Sequence, residues 1–220
     1  MTETIEIDTP TGPARAHLHR PAGRVGTDPA GVLVLGHGAG GGIQAADLVA
    51  VTAAATAVGW CAVLVEQPWR VAGRRVAPAP ARLDAAWVPV VAELRRRSPV
   101  GPLVVGGRSA GARVACRTAI VSGAAGVVAI AFPLHPPGRP ERSRSAELIG
   151  VAGAGGAGGA TGVPVLVVQG RRDAFGTPAQ VLAVAPAGVQ VVEVDGDHAL
   201  TAGAAAAAQA VAGWLRSRWP

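Results

Sequence analysis

The sequence predicts an α/β protein whose central sheet is mostly parallel and flanked by helices. Three observations carry this expectation. Short apolar, β-branched runs alternate with stretches of helical period. Several of those runs are apolar throughout, as strands covered on both faces are. With 220 residues, 50% of them hydrophobic and 15% charged, the chain can bury a large core without crosslinks. Residues 1–220 are read as a single domain.

Taken in order, the candidate strands are Ala14–His19, Val32–Leu35, Cys61–Glu66, Leu103–Gly106, Val127–Phe132, Val165–Val168 and Val189–Val194. Between the second and third, Leu48, Val51, Ala55 and Val58 recur at helical spacing. Leu83, Ala86, Trp87, Val90, Val91 and Leu94 do the same before the fourth. Pro89 falls inside that helix and predicts a kink or a restart there. Arg95, Arg96 and Arg97 sit where positive charge suits a helix C-terminus. A last helix carries Val211, Trp214 and Leu215 on one side. Arg70–Pro80 and Pro133–Arg142 are rich in Pro and Arg and read as loops. Gly150–Gly162, almost all Gly and Ala, reads as a flexible insertion.

Composition removes several functions. The net charge is +6, yet all 20 cations are arginines, and lysine, asparagine and tyrosine are missing. This looks like a coding bias spread over the surface. Aromatics amount to 3% and do not interleave with basic clusters, so no nucleic-acid partner is expected. Without lysine there is no Walker A lysine and no Schiff base. Two separated cysteines, Cys61 and Cys116, give neither a disulfide framework nor a zinc site and suit a reducing, cytoplasmic compartment. No signal peptide and no membrane span are readable. His17 and His19 alternate on one strand face, where an ordinary exposed face is preferred to metal ligation. No cofactor and no metal are expected.

The chemistry sits elsewhere. Gly107-Arg108-Ser109-Ala110-Gly111 has the Gly-x-Ser-x-Gly pattern of a nucleophile elbow. It follows the apolar run PLVVGG and opens the helical stretch ARVACRTAI, which is the strand–turn–helix context the motif needs. Flanking glycines are required because side chains at such a turn would strike the neighbouring strand and helix. A serine hydroxyl needs a base, and the base needs an orienting acid. His198, in Asp195-Gly-Asp-His, follows the last strand, and Asp173 follows the strand before it, 25 positions upstream. The order Ser109, Asp173, His198, each at a strand's C-terminal end, is that of an α/β-hydrolase. Asp195 and Asp197 are assigned to the turn.

An oxyanion hole is expected from the N–H of Ala110 and from Ala39, in the glycine-rich loop Leu35–Gly42 after an early strand. His37 is read chiefly as an anchor of that loop. His37, Gly40, Arg74, Arg75, Arg108 and His135 are candidate substrate contacts, and the arginines, with Arg139, would favour an anionic substrate. Gly36-His37-Gly38-Ala39-Gly40-Gly41, with Glu66 ending the next strand, also fits a dinucleotide fingerprint, and a reductase stays open as a less favoured alternative. A non-catalytic binding or scaffold protein of the same fold is the other.

The stretches LGHGAGGG, EQPWRVAGRRVAP, VVGGRSAGARVA, FPLHPPGRPERSR, LVVQGRRDAFG and DGDHAL resemble, in order, the small α/β-hydrolases of the KANL3/Tex30-like, dienelactone-hydrolase-like kind. The resemblance runs from about Val32 to the terminal helix. It implies an α/β-hydrolase fold with little or no cap, Ser109 as nucleophile, Asp173 as acid and His198 as base. It also implies that the Arg74/Arg75 loop and the His135-Pro-Pro-Gly loop border the site. Ala110 and Ala112 stand where Met or Gly is expected in relatives, which alters the pocket floor. The expected activity is hydrolysis of a small ester, thioester or lactone. The sequence leaves the oligomeric state open.

Overall fold

A computed structural model describes residues 2–21, 28–98, 101–153 and 162–220. Eight strands form one sheet: β1 (Thr2–Ile7), β2 (Ala14–His19), β3 (Val32–Gly36), β4 (Cys61–Glu66), β5 (Leu103–Arg108), β6 (Gly126–Ile130), β7 (Val165–Gly170) and β8 (Val189–Val194). Their spatial order is β1-β2-β4-β3-β5-β6-β7-β8. β2 pairs antiparallel with β1 and β4, and every pairing from β4 through β3 to β8 is parallel. The expected mostly parallel sheet flanked by helices is therefore present. β1 was not anticipated: TETIEI alternates Ile with Glu and Thr, so half of it reads as solvent-facing polar chain. It holds its place by pairing with β2.

The helices are α1 (Ala46–Ala57), α2 (Pro68–Val71), α3 (Pro80–Arg97), α4 (Ala110–Thr118), α5 (Ser145–Ala152), α6 (Pro178–Val184) and α7 (Ala204–Arg218). Strand alternation divides the core into two layers. Val34, Val63, Val105 and Val127 face the α3 and α4 side, where Trp87 and Leu94 pack. Leu33, Leu35, Leu64, Val104 and Val128 face the α1 and α7 side, where Leu48, Val51, Val211 and Trp214 pack. On that second side Trp219 meets Trp60 and Trp214 edge to face, with ring centroids 5.5 and 5.3 Å apart.

α3 runs on through Pro89 without a restart, and all six of its predicted core residues are buried. Burial of that continuous stripe outweighs the one backbone bond that a proline forfeits. Gly150–Ala152, assigned to a Gly/Ala insertion, are instead the last turn of α5, whose Leu148 and Val151 are buried. Residues 154–161 of that segment lie outside the described residues.

Ion pairs brace the helix that follows the elbow. Arg113 on α4 grips Glu147 of α5 at 2.6 Å, while Arg117 reaches Asp84 of α3 at 2.7 Å. Cys116 lies buried among them, and burial pushes its thiol up to about 12, so it behaves as a small core residue.

Candidate active site

The parallel strands deliver their C-terminal ends to one rim, and Ser109, Asp173 and His198 meet there. Ser109 follows β5 with φ 53°, a left-handed conformation costly for a residue with a Cβ. Its N–H donates to the Ile130 carbonyl at 2.9 Å, tying the turn to the end of β6. A Cβ on Gly107 or on Gly111 would collide with the Gly36 carbonyl oxygen, so only glycine lets the turn lie against β3.

Ser109, His198 and Asp173 form one hydrogen-bonded chain. The Ser109 hydroxyl donates to His198 Nε2 at 2.9 Å. His198 Nδ1–H donates to Asp173, 2.8 Å from Oδ2 and 3.1 Å from Oδ1. Asp173 is buried and further held: Oδ1 accepts the Phe175 N–H at 2.8 Å, and Oδ2 accepts from the Gln169 amide at 3.0 Å. Gln169 also donates toward the Phe132 and Gly176 carbonyls. The Phe175 ring lies against the His198 imidazole at 4.1 Å between centroids. Neither neighbouring acid competes for that imidazole. Asp195 pairs with Arg172 at 2.6 Å, and Asp197 accepts the Ala199 N–H at 2.9 Å.

The glycine-rich loop comes down beside Ser109, since a Cβ on Gly38 would stand 3.3 Å from that of Ser109. Among the described residues no backbone acceptor takes the Ala39 N–H, and the Ala110 N–H is one of the free donors of the first turn of α4. His37 anchors the loop from within: Nδ1–H donates to the Gly38 carbonyl at 2.9 Å, and Nε2 accepts the Gln67 N–H at 3.2 Å. Gly40, at the loop's exposed crest, has open space around it.

Burial pushes the His37 pKa below the ordinary histidine value, and a proton on Nε2 would face the Gln67 N–H. In the unfolded chain His37 titrates near ~6.5. The unfolded state therefore binds the proton first as pH falls, and stability, complete above about pH 6.5, declines below it. Thermal melting between pH 7.5 and 5.5 should show this decline, and His37→Gln should flatten it.

The loop lacks the geometry of a dinucleotide fingerprint. There the last glycine lies in the helix whose N-terminus meets the phosphates. Here α1 begins only at Ala46, and Glu66 is bonded to His17 at 3.2 Å rather than presented to a ribose.

Of the other candidate contacts, Arg108 is engaged within the protein: its Nε donates to Asp47 at 2.8 Å and its Nη2 to the His198 carbonyl at 2.6 Å. Arg74 and Arg75 are exposed, and Arg74 borders a separate cavity of about 240 Å³ beside α2 with Trp69 and Arg82. His135 is buried, with Nδ1–H donating to the Pro136 carbonyl at 2.9 Å and its backbone N–H to Phe175. It thus lies one residue contact away from His198. His17 and His19 line a cleft of about 530 Å³ against α1, apart from Ser109. Among the described residues no three His, Cys, Asp or Glu side chains cluster as a metal site would require.

Sequence reasoning did not assign Gln169, Phe175 or Asp47. Only Gln169 carried a signal, a lone amide at the end of the wholly apolar run PVLVV.

Residues 29–210 match the family described as "Alpha/beta hydrolase domain". Among solved structures, XC6422 from Xanthomonas campestris, described as an α/β serine hydrolase without lid, superposes with a TM-score of 0.78 at 18% identity, covering 100% of this chain and 95% of that one. An α/β serine hydrolase homologue from Coxiella burnetii gives 0.78 at 17% identity, with 98% of each chain covered. Est1E from Butyrivibrio proteoclasticus gives 0.77 at 14% identity, again with 98% of each covered. No curated protein sequence matches the chain. No helix among the described residues is long and apolar enough to cross a membrane.

Proposed function

Because the chain belongs to the alpha/beta hydrolase domain family, we propose that it is a cytoplasmic serine hydrolase that cleaves a small ester, thioester or lactone through an acyl-enzyme. Within that family we assign it to the KANL3/Tex30-like, dienelactone-hydrolase-like kind, on the motifs it resembles. One observation carries the reading: the continuous hydrogen-bonded chain from buried Asp173 through His198 to Ser109, at 2.8 and 2.9 Å. The solved structures named serine hydrolase or esterase support it as well.

In the proposed reaction, Ser109 Oγ attacks the substrate carbonyl carbon while His198 Nε2 takes the hydroxyl proton. Asp173 holds Nδ1–H, which fixes the tautomer that leaves Nε2 free and stabilises the imidazolium. The Ala39 and Ala110 N–H groups receive the oxyanion of the tetrahedral intermediate. The imidazolium then protonates the leaving alcohol or thiol, and the Ser109 acyl ester is left. Water, deprotonated by His198, repeats the sequence and frees the acid.

The reading is tested by incubating the protein with a fluorophosphonate and with panels of short acyl esters, thioesters and lactones. Stoichiometric labelling of Ser109, with turnover in at least one panel, is expected. No labelling and no turnover would leave a non-catalytic binding protein. Asp173→Asn is expected to lower kcat by about 10⁴-fold with KM little moved. An amide at that position can donate to Nδ1 and favour the wrong tautomer, and steady-state kinetics on the best substrate reads the effect.

A further inference from the structure

Strand alternation puts Arg108 on the α1 and α7 side of the sheet, with Val104 and Gly106. Two separate segments reach that side at the rim: the start of α1, carrying Asp47, and the loop between β8 and α7, carrying His198. The Arg108 side chain fills the crevice between them. Asp47 is fully buried and holds Arg108 Nε at 2.8 Å through Oδ2, while its Oδ1 accepts the Leu48 N–H at 2.8 Å. With Nε fixed in this way, Nη2 donates to the His198 carbonyl at 2.6 Å. The oxyanion loop rests on the same group, since a Cβ on Gly38 would stand 3.1 Å from Nη1.

We propose that Arg108 is a positioning residue, whose guanidinium, aimed by buried Asp47, holds the backbone of His198 and so sets the separation between His198 Nε2 and Ser109 Oγ. The geometry of the fork argues for this role. One planar group donates in two directions, to a carboxylate on one element and a carbonyl on another. Lysine carries all its donors on one nitrogen and lacks this rigid two-nitrogen fork. Arg108 directly precedes Ser109 in the chain, so a shift of the guanidinium moves the base relative to the nucleophile. A misplacement of about 1 Å at such a pair is worth about 10²-fold in rate.

The proposal rests on the serine-hydrolase reading, and its test therefore includes a readout that needs no turnover. Arg108→Lys, Arg108→Gln and Asp47→Asn are compared with wild type in three measurements: steady-state kinetics, thermal melting, and the ¹H resonance of His198 Nδ1–H, which reports the bond to Asp173. Expected is a fall in kcat of about 10–100-fold, with KM within about threefold, in variants that still melt cooperatively. Lysine should not rescue, and the Nδ1–H resonance should broaden or move in all three. If Arg108→Lys keeps both wild-type kcat and the wild-type resonance, the proposal is overturned. If the resonance is lost in the variants while wild type neither turns over nor labels, the clamp stands and the hydrolase reading fails. Asp47→Asn keeps the comparison usable should Arg108→Gln not fold, because it retains the guanidinium, and the stability lost with the paired charge is read separately in the melting curve.

Discussion

Ser109→Gly is expected to abolish turnover and to raise the melting temperature in the same protein. Loss of the hydroxyl removes the only atom in the proposed site that can form the acyl bond, and a fall in kcat of about 10⁴–10⁶-fold follows. The stabilisation has a different source. Ser109 occupies a left-handed conformation at φ 53°, which costs a residue with a Cβ about 1 kcal/mol or more. Glycine adopts that conformation without strain, and this gain is set against the extra freedom glycine has in the unfolded chain. A net rise of about 2–4 °C is expected for a chain this long if about 1 kcal/mol survives. Calorimetry together with turnover on the best ester checks both halves. A variant that loses activity and melts lower would show that the turn is relaxed around the serine and stores no strain.

Gly111→Ala is expected to destabilise the fold by about 3–5 kcal/mol or to prevent folding. The added methyl would meet the Gly36 carbonyl at a distance that real Cβ atoms do not show. Gly36 cannot retreat, because it is paired on one side with Val65 of β4 and on the other with Gly107 of β5. The methyl cannot move either, since α4 is tied by Arg113 and Arg117 to α5 and α3. Gly40→Ala, by contrast, should change stability by no more than about 0.5 kcal/mol, because nothing lies within 4 Å of the added atom. Denaturant melts of the two variants make the comparison directly.

The parts of this molecule legible from sequence are those in which local pattern and long-range order agree. β2, β4 and β8 have the bounds expected from their sequence, and the six buried positions of α3 are those its 3.6-residue period marks. Ser109, Asp173 and His198 stand out because each follows a strand, and parallel strands bring such positions to one rim. What the sequence hid depends on contacts between distant positions. Arg108 and Asp47 are 61 residues apart, and in a chain with 20 arginines nothing local separates one that braces a loop from one that faces water. β1 is hidden for a related reason. Its Glu and Thr residues suit an edge strand, and only the ladder to β2 turns TETIEI into sheet.

The tryptophan cluster beneath α7 gives the protein an optical signature. With no tyrosine and only two phenylalanines in the chain, ultraviolet emission comes chiefly from five tryptophans. Three of them, Trp60, Trp214 and Trp219, are in edge-to-face contact across the C-terminal helix, while Trp69 lies 5.4 Å from the His37 ring under the glycine-rich loop. Near-ultraviolet dichroism, which vanishes when fixed side-chain packing is lost, therefore reports the seating of the C-terminal helix, and Trp69 adds a report on the packing under the glycine-rich loop.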